Sequence, residues 1–145
     1  MSGIIGVGTK SGIIGQRDST AGLADYEEGT FTGTNSNVSG YGFPHATYTK
    51  IGCMVFITCS VEVPNTTSAH GVEIMSLPFS PSTRALYYNF NIRAEALGFD
   101  LRATMHNGTA TVSFRKEDES GNRDVTVSDL KNNNFRVTGW YYTEA

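Results

Sequence analysis

Long apolar runs are missing from this chain. No stretch approaches the roughly 18 consecutive apolar residues of a membrane helix, so no membrane insertion is expected. Residues Met1 to Gly15 have neither a positive n-region nor an unbroken apolar core, so no signal peptide is read there. Charge is also sparse: 11 Lys and Arg against 14 Asp and Glu give a net charge of −3 over 145 residues. Proteins that hold a nucleic-acid backbone cluster Lys and Arg, and no such cluster exists here, so no nucleic-acid partner is expected. Cysteine is limited to Cys53 and Cys59. On one extended strand they would stand roughly 20 Å apart at about 3.3 Å per residue. A disulfide needs Cα atoms within about 7 Å. Two buried, reduced thiols acting as small apolar side chains are therefore expected. That fits synthesis in a reducing cytoplasm.

Chemical motifs are equally scarce. His45, His70 and His106 lie on separate segments without the spacing of a zinc site. No nucleophile elbow is present. The glycines of Gly3-Ile4-Ile5-Gly6-Val7-Gly8 follow no strand and lack the phosphate-loop pattern. Asp25, Glu27 and Glu28 flank Tyr26, and paired acids can serve glycosidases. Clustering in sequence does not create such a pair, and a solvated turn entering a strand is the preferred reading. The acidic run from Lys116 to Asp124 could suggest calcium, but it lacks the fixed spacing of an EF-hand loop and reads as a hairpin tip. No catalytic, cofactor-binding or metal-binding residue is assigned, no cofactor is expected, and an enzyme is not the expected reading. A site assembled across subunits would escape this search.

What is present is a strand-rich pattern. The 16 glycines, with many Thr, Ser and Asn, suit short strands joined by tight turns. The strongest stretch runs from Tyr48 to Val63 and alternates with period 2. It places Ile51, Cys53, Val55, Ile57, Cys59, Val61 and Val63 on one face, and reads as one long central strand. Met54 and Phe56 imply that the middle of its other face is covered too. Gly71 to Leu77 follows as a short strand. Ala85 to Ala94 turns Leu86, Tyr88, Phe90 and Ile92 inward, and Leu97 to His106 does the same with Leu101, Ala103 and Met105. Asn107-Gly108 predicts a two-residue hairpin turn with positive φ at both centres. Ala110, Val112 and Phe114 line the returning strand. Val125 to Leu130 reads as a short strand, and Phe135 to Tyr142 as the last one. The expected core includes Ile51, Val55, Ile57, Phe90, Leu101, Val112 and Val137. Roughly eight strands suit an all-β, antiparallel two-sheet β-sandwich of the jelly-roll kind.

The first residues repeat themselves. Ser2-Gly3-Ile4-Ile5-Gly6 recurs as Ser11-Gly12-Ile13-Ile14-Gly15. Glycine at this density disfavours helix, and four exposed isoleucines on a loose tail would be a liability. Residues 1–24 therefore read as an extended anchoring arm and linker, and residues 25–145 as the sandwich domain. Ile4, Ile5, Ile13 and Ile14 are the candidate anchoring residues.

Three pieces carry a family resemblance: Asp25-Tyr26-Glu27-Glu28-Gly29-Thr30-Phe31-Thr32, then Tyr48-Thr49-Lys50-Ile51-Gly52, then Ser76-Leu77-Pro78-Phe79. In this order they resemble a β-sandwich module of tailed-bacteriophage virion proteins, often found at tail-fibre ends. The duplicated arm resembles the start of small phage virion proteins. One departure is Gly33, where the family often has proline after the threonine. The resemblance implies a jelly-roll-like fold, a homotrimer and a structural or host-recognition role on the virion, with no catalytic residues. Tyr26, Tyr48, Trp140 and Tyr142, aromatics near strand ends, are the candidate trimer contacts. No heptad, collagen or β-helix shaft repeat is present, so a capsid decoration or cement protein held to the major capsid protein or another virion protein by the arm is the favoured expectation. A receptor-binding tip on a tail fibre or baseplate, reading a host surface glycan, is the close alternative. A polysaccharide-cleaving enzyme is the distant one.

Overall fold

A turn at Gly52-Cys53 sets the architecture. A computed structural model describes residues 26–83, 87–95, 97–118 and 121–144. Strand β1 (Tyr26–Thr30) pairs with β2 (Ala46–Ile51), and β2 turns directly into β3 (Met54–Glu62). Gly52 takes a φ of 58° while Cys53 has no positive φ, so glycine occupies the first position of a two-residue loop. The stretch expected to be a single strand is thus a hairpin. Its register pairs Lys50 with Val55 and Ile51 with Met54. Directly paired residues share a face, so the turn inverts the odd-even pattern between the two arms. Val55, Ile57, Cys59 and Val61 face the core as expected, whereas Ile51 is carried to the outer face and is exposed. Cys53 moves into the turn and is only half-buried, while Cys59 is buried; neither forms a disulfide.

The remaining strands are β4 (Glu73–Ile74), β5 (Tyr87–Ala94), β6 (Asp100–His106), β7 (Val112–Asp118), β8 (Gly121–Asp124) and β9 (Asn134–Tyr142). They complete one antiparallel sheet in the order β1-β2-β3-β9-β5-β6-β7-β4, with β8 also on β7. The last strand is therefore central, between β3 and β5. The sheet curls into a half-barrel, giving an all-β, sandwich-like fold. The segment after β1 crosses to the opposite margin: Thr34 bridges Met75 just beyond β4, and Asn35 Nδ2 donates to the Glu73 carbonyl at 3.3 Å. This strap ties the two ends of the sheet together.

One face of the sheet makes the core. Val55, Ile57 and Val61 of β3 meet Phe135, Val137 and Tyr141 of β9, Tyr88 and Phe90 of β5, and Met105, Val112 and Phe114 beyond them. Phe90 pairs with Gly139, and its ring lies where a Cβ on that residue would sit. The central crossing of β5 and β9 thus needs glycine for close approach. Leu101 is half-buried beside this core, and Leu86 lies outside the described residues.

Two local expectations are corrected, and a third is extended. Val125 to Leu130 is not a strand, because Val127–Leu130 forms a helical turn, α1, with Thr126 as N-cap. The Thr126 and Asp129 side chains cap each other's backbone N–H groups, a capping box that outweighs the β-branched composition. The charged run after Lys116 is a hairpin as expected, with the paired strands β7 and β8 reaching to Asp118 and Gly121. At Asn107-Gly108 only Gly108 has positive φ, and the loop is longer than two residues because Met105 is the last residue paired, with Val112. Thr109 N–H and Oγ1 both bond to the His106 carbonyl there, at 3.3 and 2.7 Å.

Candidate functional site

The sheet's outer face is graded from apolar to charged along the strands. On β3 the outward residues are Met54, Phe56, Thr58, Ser60 and Glu62. Their direct partners on β9 are Tyr142, Trp140, Thr138, Arg136 and Asn134. On β5, Asn91 pairs with Thr138 and Arg93 with Arg136. On β3 and β9 the outer face therefore changes in step from aromatic through hydroxyl to charged, and β5 continues it from the Asn91 amide to Arg93.

The aromatic end extends over four adjacent strands. Tyr26 of β1 pairs with Ile51 of β2, which pairs with Met54 of β3, which pairs with Tyr142 of β9. In the next row Thr49, Phe56 and Trp140 are aligned. Tyr26, Ile51, Phe56 and Trp140 are each 38–42% exposed, too much for side chains in a finished core. The Trp140 and Tyr142 rings meet edge to face at 5.3 Å, and Tyr87 stands on His106 in the same way at 5.2 Å. The expected cover over Met54 and Phe56 is not supplied by the described residues of this chain, since Phe56 stays exposed.

Of the four candidate trimer contacts, Tyr26, Trp140 and Tyr142 share this patch. Tyr48 does not. It pairs with Ile57 on the core side, packs edge to face on Phe79 at 5.3 Å, and donates its hydroxyl to Glu27 Oε1 at 2.5 Å. Lys50 reaches over the same Phe79 ring at 5.6 Å. The Tyr26 hydroxyl donates to Glu28. In both tyrosines this bond to a carboxylate, followed by desolvation and the carboxylate charge, raises the phenol pKa. The candidate anchors Ile4, Ile5, Ile13 and Ile14 lie outside the described residues.

The charged end opens into a groove of about 660 Å³. Arg93, Arg136, Glu62, Glu95, His45 and the turn Asn132-Asn133-Asn134 line it. Asn132 adopts a φ of 61°, a left-handed position that asparagine tolerates. The alternation of Ala85 to Ala94 leaves Arg93 outward, but only the pairing of β5 with β9, which skips three strands of the chain, brings it beside Arg136. Among the described residues no three His, Cys, Asp or Glu side chains converge in a metal-holding set. No protein-family model, curated protein or solved structure matches this chain.

Proposed function

We propose that this chain is a non-catalytic structural protein on the surface of a tailed-bacteriophage particle, made in the bacterial cytoplasm. In this reading it is a homotrimeric capsid decoration protein. The aromatic end of the outer face joins the copies, and the N-terminal arm holds the trimer to the major capsid protein. The observation that carries the reading is the patch of Tyr26, Ile51, Phe56, Trp140 and Tyr142 on adjacent strands. Contiguous exposed apolar patches with polar surroundings are association sites, and aromatics are enriched at their centres. The resemblance of the Asp25–Thr32, Tyr48–Gly52 and Ser76–Phe79 segments to virion modules supplies the trimer and the particle.

The arm's share follows from magnitudes. Burying four isoleucines yields roughly 6–12 kcal/mol gross at about 1.5–3 each. Ordering some fifteen residues costs about 1–2 kcal/mol apiece, which consumes the gain. One arm binds weakly, but three on one trimer raise avidity about 10²–10⁴-fold. Deleting Met1 to Gly15 should therefore leave a folded trimer that no longer attaches to particles. Full occupancy by the truncated protein would overturn the arm's role. Counting copies tests the location: hundreds per particle fit a decoration protein, and a few to tens would make it a tail component instead.

A further inference from the structure

We infer that the groove at the charged end of the outer face is a binding site for a carboxylate-bearing saccharide. Arg93 and Arg136 are direct cross-strand partners on one face. Like charges in that position repel, and strand pairs normally avoid them. Neither guanidinium makes an ion pair among the described residues, although Arg102, Arg115 and Lys116 elsewhere on the sheet all do. Two arginines from neighbouring strands line one groove without an ion-pair partner among the described residues, and a planar guanidinium binds a carboxylate bidentately.

The rest of the groove specifies more than a bare anion. Glu62 and Glu95 line it too and disfavour an anion whose charge is concentrated on one small group, such as free phosphate. Asn132, Asn133 and Asn134 line it as well, and an asparagine amide offers both donors and an acceptor. Such mixed planar polar groups satisfy vicinal hydroxyls, each of which both donates and accepts. An acidic sugar supplies both parts: its carboxylate for the arginines, its hydroxyls for the amides and acids. The groove's volume lies within the range of small-ligand sites. It sits at the opposite end of the strands from the aromatic patch, so subunit association through that patch would leave it open.

The inference stands apart from the assembly reading, since a monomer would carry the same groove. The test is calorimetric titration of the full chain with trigalacturonate, with the neutral galactose trisaccharide, and with inorganic phosphate. Saturable binding of trigalacturonate is expected, at least about tenfold tighter than either comparison ligand. Arg93→Gln/Arg136→Gln should abolish it, and because that variant removes a like-charge pair its melting temperature should not fall. Should the double variant fail to fold, Arg136→Lys decides: it keeps the charge but loses the fork, and binding should weaken about fivefold or more. No binding of trigalacturonate, equal binding of the neutral trisaccharide, phosphate binding as tightly as the sugar, or undiminished binding by the folded arginine variants would each overturn the assignment.

Discussion

Single residues in this molecule differ in accessibility more than their chemistry suggests. Cys59 is fully buried on β3, and burial pushes its thiol up to about 12. Cys53 is half-buried in the β2–β3 turn. A thiol reagent should therefore modify native protein at Cys53 first, with Cys59 reacting only on unfolding. Simultaneous labelling of both, followed by mass spectrometry, would contradict this placement. Asp129 shows the opposite electrostatic case. Burial alone would raise its pKa, but hydrogen bonds from Lys116 and Thr126, and the Lys116 charge, hold the carboxyl below its usual range. A depressed carboxyl contributes stability above its unfolded pKa of about 3.9 and loses it as pH falls through the folded value. Asp129→Asn should lower stability at neutral pH by about 1–3 kcal/mol. The variant should also lose less stability on acidification below about pH 4. Denaturant melts at pH 7 and pH 3 check both, and an equal acid loss in the two proteins would contradict the assignment.

Elements were legible where periodicity and boundaries agreed. Strands β5, β6 and β9 were readable because their apolar residues alternate and Pro, Gly or Asn flank them. The β2–β3 hairpin was not, because Cys53 is a strand-like residue and Gly52 alone gave too weak a break. An unbroken alternation across that turn inverts β2, so the pattern predicts Ile51 inward whereas the hairpin carries it outside. The helical turn α1 does carry a signal in the sequence: Thr126 followed three residues later by Asp129 is a capping pair. The groove was invisible for a different reason. Its arginines lie on β5 and β9, and nothing in either strand's own pattern encodes their non-local pairing. Gly52→Ala tests the hairpin directly. A Cβ there meets nothing within 4 Å, so any cost arises from the positive φ alone. The expected loss is about 1–2 kcal/mol by chemical denaturation, with the fold retained. An unchanged or higher stability would mean that the turn lacks this geometry.

At the scale of the whole molecule, the sheet separates two tasks by face and by end. The inner face closes the core, helped by the strap that joins the β1 and β4 margins through Thr34 and Met75. The outer face presents aromatics at one end and a polar groove at the other. A closed ring of three copies would bury the aromatic end of each against its neighbour through one repeated, head-to-tail contact. Small changes at its centre should then act on assembly and not on folding, because Phe56 and Trp140 contribute little to the monomer's own core. The direct measurement is native mass by sedimentation equilibrium at micromolar concentration, for the wild-type chain and for Phe56→Lys/Trp140→Lys. The expected result is three times the 15.7 kDa chain mass for the wild type and a folded 15.7 kDa monomer for the variant. A wild-type monomer, or a variant that remains trimeric, would contradict the claim that copies of this chain meet through the aromatic end of the outer face.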